Sequence, residues 1–138
     1  MKNAPRRKLK QRSETFFVPW VGPSFNIIWA GVHWSKRKKI ATAGKQETWE
    51  ALRSAGIKDT FQHPVNLVFT PVIGPKDKGT KRDATNYIVA TKVIEDALVT
   101  GKILEDDAPE YVYSIKIMAP EIGEQKGMRV KIYEQEYH

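Results

Sequence analysis

The chain has 138 residues, 41% of them hydrophobic and 28% charged. That is enough for one domain with a buried core and too apolar for a disordered segment. With no cysteine in the sequence, disulfides and thiolate metal sites are excluded, and a metal would need oxygen ligands or one of the three histidines. The formal net charge of +7 attracts polyanions, nucleic acid first among them, although a basic surface also serves solubility alone. No apolar run approaches the roughly 20 residues that cross a bilayer, and no apolar segment follows the basic N-terminus, so a cytoplasmic protein without a membrane partner is expected.

Residues 1 to 14 carry Lys2, Arg6, Arg7, Lys8, Lys10 and Arg12 with little apolar between them, which predicts a basic flexible arm ahead of a single domain over 15–138. A short strand follows over 15–18, running into an irregular segment at Pro19, Gly22 and Pro23. After the basic cluster Lys36, Arg37, Lys38 and Lys39, the spacing of Trp49, Leu52 and Ala55 predicts a first helix that ends at Gly56. Alternating Val65, Leu67 and Phe69 predict a strand, and the run GPKDKGTKR after it a loop.

From Ala84 to Thr100, the residues Tyr87, Ala90, Ile94, Ala97 and Leu98 share one face of a 3.6-residue repeat, with Gly101 at the C-terminal cap position. Alternation at Tyr111, Tyr113, Ile115 and Ile117, then at Val130 and Ile132, predicts two last strands paired antiparallel through the EIGEQKG turn. The resulting fold class is α+β: a small mixed β-sheet with two main helices packed on one face.

The stretch GKILEDDAPEYV sets three carboxylates in a row in a basic chain. The second helix is roughly 20 Å long at 1.5 Å per residue, and an extended return from Lys102 to Asp107 spans about the same length. Asp106 and Asp107 can therefore come back beside Asp83 at the helix start. Asp83 alone reads equally as an N-cap, and Glu105 to Asp107 as a solvated acidic turn. Converging carboxylates repel by roughly 4 kcal/mol per pair at 4 Å and an effective dielectric near 20, so they need a cation or a shared proton. Magnesium suits such a cluster, and basic loops would bring phosphates to it. Lys92 on the polar face is either an i, i+4 partner of Asp96 or a cation for the phosphate.

The segment KRDATNYIVATKVIEDALVTGKILEDDAPEYV resembles the core signature of the RusA family of Holliday junction resolvases, in which an Asp-x-Asp-Asn element opens a helix and a Lys, Asp-Ala-Leu, a Gly and an Asp-Asp pair follow. VPWVGPSFN is similar to that family's early Pro-rich loop, and the likeness covers most of residues 15 to 134.

The resemblance implies a homodimeric, magnesium-dependent endodeoxyribonuclease that nicks opposite strands of a four-way DNA junction, in a bacterium or a phage-infected cell, with manganese as a substitute ion. It implies catalytic roles for Asp83, Lys92, Asp106 and Asp107. Asp83, Asp106 and Asp107 would hold the metal, Asp107 most directly, and Asn86 would take the place of the family's Asn. Lys36, Arg37, Lys38, Lys39, Lys81 and Arg82 would hold phosphates together with Asn86. Two departures stand out: Thr85 occupies the place of the family's second Asp, and three additional residues separate Asn86 from Lys92. Asp96, Glu95 or a water on Asn86 could supply the missing ligand.

A non-catalytic protein that binds branched DNA is the alternative, with Thr85 marking a lost metal site. His33, His63 and His138 share no ligand spacing and read as structural. Trp20, Trp29 and Trp34 read as core or interface cover before they read as base-stacking groups.

Overall fold

The computed structural model describes residues 11–23, 34–76 and 84–135, without the side chains of residues 34 and 85. Asp83, Lys81, Arg82, His33, His138, Trp29 and most of the basic arm lie outside the described residues. The elements in chain order are β1 (Ser13–Val18), α1 (Trp34–Ser54), β2 (Val65–Ile73), a 3-10 turn (Ala84–Tyr87), α2 (Ile88–Thr100), β3 (Val112–Ile117), β4 (Glu121–Ile122) and β5 (Gly127–Glu134). They form one mixed five-stranded sheet and two helices, an α+β fold as the sequence predicts. None of the described helices is long and apolar enough to cross a membrane.

The sheet order is β1-β5-β2-β3, with β4 also on β2. β5 runs antiparallel to both β1 and β2, whereas β3 and β4 run parallel to β2. The two C-terminal strands are thus not a hairpin: β2 lies between them. Pro71 of β2 has no N–H to give a ladder. The neighbouring edge is interrupted there, between Phe69 opposite Ile117 and Val72 opposite Glu121.

Cross-strand rows such as Phe16, Val130 and Phe69 bring one face of the sheet together. These side chains are buried with Val18, Leu67, Met128 and Ile132. The opposite face carries Lys131, Val68 and Lys116 in one row. α2 buries the predicted stripe of Ala90, Ile94, Ala97 and Leu98 in the same core, with Tyr87 just ahead of it. The helices meet where the Trp49 indole N–H donates to the Ala97 carbonyl at 2.9 Å.

Two further departures from the sequence reading have local causes. α1 reaches back to Trp34, so Lys36 to Lys39 are exposed on a helix rather than in a loop; Lys, Arg and Ala are good helix formers even without an apolar stripe. In β3, register shifts where Val65 faces Val112 but Asn66 faces Ser114, leaving Tyr113 as the extra residue of a bulge. Tyr113 and Ile115 stay exposed, at 64% and 48%, because β3 lies at the sheet edge.

Candidate functional site

The turn after α2 builds the site. Gly101 caps the helix, but the left-handed residue is Lys102, with φ 64°. The Ile103 N–H bonds to the Leu98 carbonyl at 2.9 Å and the Lys102 N–H to Val99 at 3.1 Å, a Schellman closure with Lys where glycine is usual. A left-handed Lys costs roughly 1–2 kcal/mol. Burial of Ile103 and Leu104 against the core offsets that cost. Thr60 also donates its hydroxyl to the Lys102 carbonyl. The chain is thereby reversed, and Asp107 returns alongside α2.

Lys92, Glu95 and Asp96 occupy positions i, i+3 and i+4 of that helix, hence one face. The Lys92 ammonium is 3.3 Å from Asp96 Oδ1, 3.3 Å from Asp107 Oδ2 and 3.5 Å from Glu95 Oε1. The i, i+4 pairing of Lys92 with Asp96 is therefore realised, and the same ammonium also reaches the returning loop. Carboxylate oxygens of Glu95, Asp96 and Asp107 lie within 4.8 Å of one another.

The three acids differ in setting. Glu95 is only 7% exposed at its side chain, and burial raises its carboxyl above the usual range, with Lys92 opposing and Asp107 and Asp96 reinforcing that shift. Asp107 is exposed and held below the usual range, first by the hydrogen bond from Lys92 and then by Asp106. Desolvation pulls Lys92 down, but Asp107 and Asp96 together outweigh it and leave the ammonium raised.

Such a set of oxygen donors can hold a metal ion. Octahedral ligand oxygens at about 2.1 Å from an ion stand about 3.0 Å apart when adjacent and about 4.2 Å apart when opposed, so carboxylates spread over as much as 4.8 Å would draw together on binding one. The ammonium already marks where positive charge is stabilised.

Among the described residues, the predicted set is brought together in part. Lys92 and Asp107 meet, and Glu95 and Asp96, both offered by the sequence as substitutes for Thr85, lie beside them. Asp106 is not among the three: its Oδ1 accepts the backbone N–H of Asp107 at 2.8 Å, which braces the loop. Asn86 is half-buried in the 3-10 turn. The N-cap position of α2 belongs to Tyr87, which makes no side-chain cap bond. The predicted contribution of Asp83 concerns a residue outside the described set. Glu95 was the least visible member in sequence, its signal being the i, i+3 spacing from Lys92. No family model and no curated protein matches this chain.

Proposed function

We propose that the protein is a magnesium-dependent endodeoxyribonuclease that nicks four-way DNA junctions, with Glu95, Asp96 and Asp107 as metal ligands and manganese able to substitute. The observation that carries this reading is the convergence of those carboxylates on one ammonium. The resemblance to RusA-type resolvases supports it independently, through the order of Lys92, the Asp-Ala-Leu run and the Asp106–Asp107 pair. A bound magnesium would activate water and neutralise charge on the phosphate. Lys92 would turn from the carboxylates toward a phosphate oxygen, Asp106 would keep Asp107 in position, and Lys36 to Lys39 would hold flanking phosphates. Asp83 and Asn86 would complete the site from the helix start, with Lys81 and Arg82 on the phosphate backbone. A homodimer would present two such sites about a dyad, matching the paired strands of a junction.

The test is incubation of an end-labelled four-way junction and a linear duplex with and without magnesium. Paired nicks confined to the junction are expected, and Asp107→Asn should slow them by roughly a hundredfold or more, the scale for losing one charge-stabilising group. Equal cleavage by wild type and variant would refute the assignment.

One observation favours a second reading, a branched-DNA-binding protein without catalysis. Lys92 already pairs with all three carboxylates of the cluster, which could then serve to fix the loop after α2. Tight junction binding with no nicks in magnesium or manganese would decide for it.

A further inference from the structure

Between the segment after β1 and the exposed half of α1 is an open cleft of about 670 Å³, within the size range of small-ligand sites. Its lining combines the apolar side chains of Trp20, Pro23 and Ile40 with Lys36, Lys39 and Lys126 and, among the described residues, includes no carboxylate. The indole is held in place by two glycines. A Cβ on Gly44 would come within 2.5 Å of Trp20 Cη2 and 2.7 Å of Val93 Cγ1, and one on Gly22 within 2.9 Å of Trp20 Cζ2. Glycine is unfavourable against alanine inside a helix, and here it gives the ring its seat. The Trp20 N–H adds a backbone bond to Val18 at 2.7 Å.

A ligand matching this lining has a flat apolar body and anionic groups. The lysines come from two elements, Lys36 and Lys39 from α1 and Lys126 from the turn before β5. That arrangement suits a strand, which carries phosphates on both sides of each base, better than a free nucleotide with phosphate on one side. Val93, whose side chain faces Gly44 beside the indole, is the chain neighbour of Lys92, so the packing behind Trp20 and the acidic cluster share α2. We propose that the cleft takes one unpaired nucleotide of a nucleic-acid strand, its base against Trp20 and its flanking phosphates on Lys36, Lys39 and Lys126. The inference rests on the nucleic-acid part of the reading above and is independent of the metal.

The experiment measures binding of the full chain, in chelator, to a fluorescent oligothymidylate and to an abasic strand of equal length. Tighter binding of the thymidylate by about tenfold is expected, the scale of one base–aromatic stack. Ala43→Phe should abolish that difference by filling the cleft from an exposed helix position, leaving the Trp20 packing intact. Lys39→Gln with Lys126→Gln should weaken both strands alike and lower the salt slope by about 0.7 per lysine. Equal affinity for the two strands, an unchanged preference in Ala43→Phe, or displacement by thymidine monophosphate as efficient as by the strand would each overturn the proposal. Failure to bind any strand or junction would overturn it together with the nucleic-acid reading, whereas binding without cleavage would leave it standing.

Discussion

Glu95 is the residue at which stability and the proposed function pull apart. Its carboxyl is raised by burial, so the folded state favours its protonated form and ionisation at neutral pH works against folding. The contribution of this group to stability is fully present below the ordinary glutamate range and is lost as pH rises through the raised folded value. Asp107 has the opposite sign: its depressed carboxyl contributes stability above the ordinary aspartate range, lost as pH falls through the lower folded value. Urea unfolding across mildly acidic pH should therefore find Glu95→Gln more stable than wild type near neutrality and without the wild-type gain on mild acidification. A variant less stable at neutral pH would mean that the Lys92 pair outweighs the burial of Glu95. Under the proposed function, a carboxylate buried at such a cost is one that works on a cation.

Among the elements, β3 separates what burial dictates from what pattern suggests. Leu67 on the central strand is fully buried and Ile115 is about half exposed, although both belong to alternating apolar runs. Leu67→Ala should cost about 2–5 kcal/mol, and Ile115→Thr should stay within about 0.5 kcal/mol. Similar losses in a denaturant titration would place β3 in another register. α2 was legible because its stripe and its end are local signals, even though the left-handed residue fell one position beyond Gly101. The reversal of the chain toward α2 was legible too, but not its reach: Asp107 stops beside Lys92 and Asp96 in the body of the helix rather than at its start, because Ile103 and Leu104 are buried and the return is not extended. The distinct role of Asp106 was not legible, because neighbouring side chains leave an extended segment in different directions. Nor was the order of strands, since alternation says which face a residue occupies and not which strand lies beside it. The basic half of α1 carries no apolar period by which a helix could be recognised.

For the whole molecule, the question is which face its positive charge serves. Lys36, Arg37, Lys38 and Lys39 follow one another at the start of α1, whose first turn carries no acidic residue of its own. Lys116 and Lys131 stand on the face of the sheet opposite the core. A duplex that reaches the acidic cluster from the α1 side would neutralise the first group and leave the second in solvent. Each phosphate contact to duplex DNA contributes about 0.9 to the slope of log affinity against log salt. Replacing the four α1 cations by glutamine should then lower the slope for junction DNA by about 3–4, and Lys116→Gln with Lys131→Gln by less than about 1. The reverse pattern in a salt titration would move the DNA to the sheet face. An unchanged slope in both variants would leave each basic patch a solvated surface, and the net charge would then act through long-range attraction, which speeds encounter without holding the complex.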